Sequence, residues 1–191
     1  SGHSLMNLVN NILHYSRLES GMDKLVNADY RLLTLLQELA DNTRSAIGKK
    51  KIVLEMKIEP SLPSVLYGDR NKIKTILGNV LQNALQYTEA GRITMDVCAE
   101  KTDRRNIMLH FCIDDTGSGM TAKERERVME RIRQIRQNAP QEKGLGLMVA
   151  GGFVRMMDGD IELLSSETGG CSVHVRIGQK ISDDLQIGSY Y

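Results

Sequence analysis

The sequence predicts an α+β protein, a two-layer α/β sandwich whose mixed, mostly antiparallel sheet is covered by helices on one face, with an amphipathic helix in front of it. Three observations carry this. Segments of helical period alternate with short segments of period two. The apolar runs "GRITMDVCAEK" and "NIMLHFCID" are separated only by the charged turn "TDRRN", a connection that antiparallel neighbours accept and parallel ones do not. There are also too few crossovers for an all-parallel sheet.

The elements follow in order. Leu5, Leu8, Val9, Ile12 and Tyr15 recur at helical spacing and "ESGMDKL" closes the helix at Gly21; an amphipathic helix of this kind needs a partner. "DYRLLTLLQELADNTRSAIGKK" reads as a second helix, "KIVLEMKIEP" as a half-buried strand, and "SLPSVLYGD" as a connection. Asp69 is placed to cap the helix "RNKIKTILGNVLQNALQYT", whose residues Ile73, Ile76, Leu77, Val80, Leu81 and Ala84 form one apolar face. After the two strands comes an Arg-rich helix opened by a capping box at Thr121 and Glu124 and ending in a loop around Pro140. "GLGLMVAGGFVRMMDG" is a helix behind a tight glycine pair, and "DIELLSSETGGCSVHVRIG" a closing hairpin. Three segments result: residues 1–24, an appended helix; 25–181, the main domain; and 182–191, a tail.

Composition limits the function classes. The 191 residues are 41% hydrophobic and 26% charged, and 25 basic against 24 acidic residues leave a net charge of +1. A real core is available, and no global field points to nucleic acid. Cys98, Cys112 and Cys171 are odd in number and lie in apolar runs, which predicts reduced, buried, structural thiols in a cytosolic setting. Met129, Met148, Met156 and Met157 read as core filling. No run is long enough to span a membrane.

The chemistry concentrates in a few places. Asn79, Asn83 and Tyr87 fall in a row along the border of the apolar helix face. Neutral amide oxygens one turn apart suit Mg²⁺ when a substrate brings the negative charge. "DDTGSGM" ends a strand with an aspartate and two close glycines, and "KGLGL" opens a helix whose free N–H groups favour phosphate.

In that order along the chain, "GNVLQNALQYT", "DDTGSGM", "KGLGL" and "ETGGCSV" resemble the ATP-binding domain of sensor histidine kinases, in the superfamily of DNA gyrase, Hsp90-type chaperones and MutL ATPases. "NNILHYSRLESGMDKL" is similar to the end of the second helix of that family's dimerisation and phosphoacceptor hairpin. The resemblance implies the Bergerat ATP-binding fold for residues 25–181 and a hairpin remnant for 1–24. It implies Asp115 as the acceptor of the adenine amino group, with Gly117 and Gly119 giving close approach and positive φ. It implies Asn83 as the Mg²⁺ ligand, Asn79 beside the phosphates and Tyr87 beside the adenine. Lys143, Gly144, Leu145, Gly146 and Leu147 would hold phosphate, and Gly169 and Gly170 would shape the pocket floor. The catalytic residues implied are Asn79 and Asn83. Hydrolysing relatives carry a glutamate at the position of Asn79; asparagine cannot take a proton from water, which favours phosphoryl transfer to a protein side chain.

The implied cofactors and partners are ATP with Mg²⁺, the phosphoacceptor domain of the same kinase, a response-regulator receiver domain and a homodimeric parent anchored in the bacterial inner membrane with this part in the cytoplasm. The phosphoacceptor histidine itself is absent: His3, His14, His110 and His174 lack its flanking pattern, and His14 is expected to face solvent. The lid between the second and third motifs lacks the family's phenylalanines, with Val128, Met129, Ile132 and Ile135 as the replacement stripe and Arg127, Arg131, Arg133 and Arg136 as basic neighbours. Glu142 and Gln86 stand where relatives often have glycine and lysine. These departures support a second expectation, a degenerate kinase acting as a nucleotide-regulated interaction module.

Overall fold

The computed structural model describes residues 2–133, 145–166 and 169–188. In chain order they form α1 (Gly2–Ser20), β1 (Ala28–Arg31), α2 (Leu32–Ile47), β2 (Lys51–Ile58), β3 (Pro63–Gly68), α3 (Arg70–Tyr87), β4 (Ala90–Lys101), β5 (Asn106–Asp115), α4 (Ala122–Arg133), α5 (Leu145–Met156), β6 (Asp160–Ser165) and β7 (Cys171–Gln186). The sheet runs β1-β3-β7-β5-β4-β2, with β6 also paired to β7. Only β2 and β4 are parallel among these pairs; the rest are antiparallel. The mixed, mostly antiparallel sheet expected from the sequence is therefore present.

Alternation along the central strands explains why one face carries the core. On β5, Ile107, Leu109, Phe111 and Ile113 are buried while Met108, His110, Cys112 and Asp114 are only half-buried. The buried face meets α3, whose Ile73, Ile76, Leu77, Val80, Leu81 and Ala84 are all 3% exposed or less. Phe153, Val149 and Val154 of α5 complete that layer. Met148 and Met157 are buried and Met129 and Met156 pack against the core, the filling role their unbranched side chains suit.

Two strands were hidden in the sequence. Residues 29–31, expected within the second helix, belong to β1, paired antiparallel to β3 from Ala28 opposite Gly68 to Arg31 opposite Val65. A four-residue strand abutting a helical pattern has no periodicity of its own. β3 occupies the expected connection "SLPSVLYGD"; its proline stands at the first strand position, where a missing N–H costs the ladder least. Tyr30 is buried under this edge and donates its hydroxyl to Gln179 Oε1 at 2.8 Å. The segment after residue 181, expected as a tail, continues β7 to Gln186, opposite Pro63. Ile187 is buried and its N–H donates to the Leu62 carbonyl at 2.8 Å.

Two further expectations change. Cys171 is buried, but Cys112 is half-buried and Cys98 exposed, because both lie on the face of the sheet opposite the helices. His110 and His174 share that face, joined Nε2 to Nδ1 at 3.0 Å. His14 does not face solvent: it is half-buried, edge-on to Phe153 with ring centroids 5.3 Å apart. The stripe of α1 turned to α5 holds Leu8, Asn11, Tyr15 and Leu18 as well as His14, whereas Leu5, Val9 and Ile12 remain exposed. The helix thus has two apolar stripes, of which the domain covers one.

Candidate functional site

Asp115 ends β5 on the face that Ile107, Leu109, Phe111 and Ile113 fill. A carboxylate at a position the strand pattern reserves for an apolar residue is costly unless it is held. Here Oδ1 accepts the Gly117 N–H at 2.9 Å and the Cys171 N–H at 3.2 Å. Burial pushes the carboxyl above its ordinary pKa, the two N–H groups pull it back, and the neighbouring charge of Asp114 adds to the rise.

Glycine is required around it for contact rather than flexibility. A Cβ on Gly170 would stand 2.0 Å from the Asp115 carbonyl and 2.4 Å from its Oδ1, and one on Gly117 would stand 2.2 Å from the Tyr87 carbonyl. Of the two glycines expected to need positive φ, Gly119 does, at +72°, while Gly117 is needed for the close approach alone. Ser118 N–H donates to the Tyr87 carbonyl at 3.2 Å, tying the end of α3 to this loop. Thr88, next along, is fully buried and its Oγ1 has no hydrogen-bond partner among the described residues. This buried hydroxyl lines the Gly117 loop, 2.8 Å from where a Gly117 Cβ would sit.

The other end of the site is built by helices. Asp69 caps α3, its Oδ1 accepting the Lys72 N–H at 3.1 Å, and this fixes the register that sets Asn79, Asn83 and Tyr87 in a half-buried row at the border of the core. From Asn79 to Tyr87 the helix rises about 12 Å, so the row runs from the start of α5 to the loop after Asp115. Asn79 Nδ2 donates to the Gly146 carbonyl at 3.0 Å and to Asn11 Oδ1 of α1 at 3.1 Å. A Cβ on Gly146 would touch both amides, 3.4 Å from Asn79 and 3.5 Å from Asn11.

Among the remaining expected residues, Leu145 and Leu147 are buried in the core, leaving only their backbone to face a ligand. Lys143 and Gly144, with Glu142, Ile135 and Arg136, lie outside the described residues. Gly169 has φ of +97°, and its carbonyl lies 2.7 Å from where a Gly119 Cβ would sit, which closes the floor. The lid stripe docks as expected: Ile132 is buried and occupies the space a Gly151 side chain would fill, with Val128 and Met129 beside it. The capping box is formed, Glu124 N–H donating to Thr121 Oγ1 at 3.1 Å and Thr121 N–H facing Glu124 Oε1 at 3.4 Å. Arg133 is paired with Glu126 and Glu130 at 3.4 and 3.3 Å, and Arg127 is exposed.

Two residues of this site escape a sequence reading. Thr88 follows Tyr87 without a chemical signature of its own. Asn11 had one available signal: a polar residue in the same helical row as Leu8 and Tyr15, on a face that is otherwise apolar.

A buried carboxylate at a strand end is thus backed by glycines on a two-layer sandwich, with an amide-bearing helix in the covering layer. Residues 68–181 match the family described as histidine kinase-, DNA gyrase B- and HSP90-like ATPase, and the chain belongs to that family. The Escherichia coli sensor histidine kinase RcsC is 30% identical over 93% of this chain and 18% of its own length. The Dictyostelium discoideum hybrid signal transduction histidine kinase B is 30% identical over 86% of this chain and 8% of its own. The chain thus spans less than a fifth of these relatives. Full-length ShkA, solved in complex with AMPPNP, superposes with a TM-score of 0.72 at 24% identity, over 95% of this chain and 37% of its own. The catalytic domain of the histidine kinase ThkA gives 0.62 at 20%, over 80% and 97%. The solved structures share the fold.

Proposed function

We propose that this chain is the ATP- and Mg²⁺-binding core of a bacterial sensor histidine kinase, which transfers the γ-phosphate to a histidine on a dimerisation domain outside this chain for relay to a response-regulator aspartate. The observation that carries the reading is Asp115, a buried carboxylate oriented by the Gly117 and Cys171 N–H groups. An acceptor fixed in this way recognises an exocyclic amino donor, because a donor buried there without a partner would be heavily penalised.

The residues fit a nucleotide-borne Mg²⁺. Among the described residues no group of three or more His, Cys, Asp or Glu side chains is placed to hold an ion, whereas Asn79 and Asn83 offer neutral amide oxygens that suit a cation arriving with phosphates. Asn83 would hold it, with Asn79 beside the phosphates; when bound, the ion neutralises charge on the phosphate oxygens. The chain's own part is positioning: Asp115 and the glycines fix the base, α3 aligns the phosphate end, and α4, docked through Ile132 on Gly151, excludes water. Asn79 cannot act as a general base toward water, which favours transfer over hydrolysis.

The exposed stripe of Leu5, Val9 and Ile12 on α1 supports docking of the rest of the phosphoacceptor hairpin and its dimer mate there. The cytoplasmic setting and an anchor in the inner membrane rest on the family resemblance. A second reading, a nucleotide-regulated module without transfer activity, is favoured by Gln86, which is exposed and brings no positive charge to the phosphate end.

Calorimetric titration of a non-hydrolysable ATP analogue with and without Mg²⁺, followed by transfer from ATP to a separate hairpin substrate, tests both. Binding weakened roughly tenfold to a hundredfold in Asp115→Asn, with Mg²⁺ dependence lost in Asn83→Ala and phosphate appearing on the hairpin histidine, is the expected result. Binding without transfer favours the second reading, and no binding by the folded chain overturns both.

A further inference from the structure

We infer that Asn11, on the appended helix α1, is a positioning residue for the phosphate end of the site: it fixes which way the Asn79 amide points. The inference rests on the nucleotide reading above. The Gly146 carbonyl only accepts hydrogen bonds, so the Asn79 atom 3.0 Å from it must be the NH₂ nitrogen. That nitrogen has a second hydrogen, and Asn11 Oδ1 takes it at 3.1 Å. Both donors are then spent, and Asn79 Oδ1 is the one polar atom of the side chain with no partner among the described residues. An amide with both hydrogens tied presents an acceptor, the group a cation wants, and not a donor.

The packing makes Asn11 specific to the task. α1 reaches α3 across the start of α5, where a Gly146 Cβ would sit in ordinary contact with both amides, 3.4 Å from Asn79 and 3.5 Å from Asn11. The rest of α1 is held in place independently. Tyr15 is buried, His14 lies against Phe153, and Lys72 links Asp69 at 3.0 Å with Asp23 at 3.8 Å. Asn11 and His14 are the polar members of a docking face otherwise made of Leu8, Tyr15 and Leu18, and of the two it is Asn11 that bonds to Asn79. Without Asn11 the Asn79 amide keeps only the Gly146 bond and is free to turn about it. Because coupling is reciprocal, cation binding at the phosphate end would also steady α1.

The test compares the chain with Asn11→Leu, which removes the acceptor at similar volume, and Asn11→Asp, which keeps it. The readout is the ratio of analogue affinities with and without Mg²⁺, together with amide hydrogen exchange along α1. The expected result is a ratio reduced about threefold to tenfold in Asn11→Leu, the range of one lost neutral hydrogen bond, and held at or above the unsubstituted value in Asn11→Asp. Mg²⁺ and nucleotide together should slow exchange in α1 of the unsubstituted chain and not of Asn11→Leu. An unchanged ratio in Asn11→Leu, or an equal loss in Asn11→Asp, overturns the role of Asn11 while leaving the nucleotide site standing. Absence of nucleotide binding by the unsubstituted chain overturns the site reading and this inference with it.

Discussion

The two ends of the site are made of different material. Around Asp115 the wall is backbone: the carboxylate takes N–H groups from Gly117 and Cys171, and three glycines stand where any side chain would strike a carbonyl or the carboxylate itself. Around Asn79 the wall is side chain on helix, with one of the amide's two bonds supplied by α1. The Asp115 end is therefore set by the sheet and changes only if the sheet does, since strand register is fixed over Asn106–Asp114 of β5 against Ser172–Lys180 of β7. The phosphate end depends on how three helices sit, and helix packing shifts at far lower cost than strand pairing. The Asp115 end is thereby rigid and the Asn79 end adjustable.

The sharpest way to break that contrast is Gly170→Ala. Its Cβ would lie 2.0 Å from the Asp115 carbonyl, which is backbone and cannot swing aside. The expected outcome is loss of measurable nucleotide binding and a destabilisation of about 1–3 kcal/mol from overpacking, read by calorimetry and urea denaturation. Retained binding would mean that the base end is as adjustable as the phosphate end.

A smaller effect separates recognition from stability at Asp115. Because burial raises its pKa above the ordinary 3.8, the ionised carboxylate costs stability, a cost that begins as pH rises through 3.8 and is complete above the folded-state value. Asp115→Asn removes it, so the variant should be at least as stable as the unsubstituted chain at pH 7 and lose that advantage below 3.8, while binding nucleotide roughly tenfold to a hundredfold more weakly. Chemical denaturation across pH checks the first part and calorimetry the second. A variant that is both weak-binding and less stable at pH 7 would show that the carboxylate holds the fold as well as the ligand.

The smallest effect belongs to the helical end. Burial against Phe153 lowers the His14 pKa below its ordinary 6.5, with Arg17 and Lys72 adding to the fall and Asp23 opposing it. The folded state thus prefers the neutral ring: no cost exists above pH 6.5, and docking of α1 weakens as pH falls below 6.5 until the folded-state value is passed. Hydrogen exchange in α1 should speed up below that pH, and His14→Gln should abolish the pH dependence while leaving β5 and β7 unaffected.

How much of this was readable depended on the range of the signal. The apolar face of α3, the capping residues Asp69 and Thr121 and the alternation of β4 and β5 are local patterns, and each appears where its spacing put it. β1 and β3 carry no local signal because each owes its existence to a neighbour far along the chain, Tyr30 reaching Gln179 and Pro63 pairing with Gln186. The exposure of Cys98 was misjudged because an apolar run does not say which of its two faces the helices cover.

Sequence by itself determined which residues are chemically capable: an aspartate followed by close glycines and two amides one turn apart, neither of which can serve as a general base. Periodicity and side-chain chemistry are carried by neighbouring residues, so they survive without the fold. Only the tertiary structure decided that Asp115 stands on the buried face, that Leu145 and Leu147 belong to the core, and that the Asn79 amide is held by Asn11, 68 residues earlier. Those facts depend on which surfaces meet, and that is settled by the packing of the whole chain.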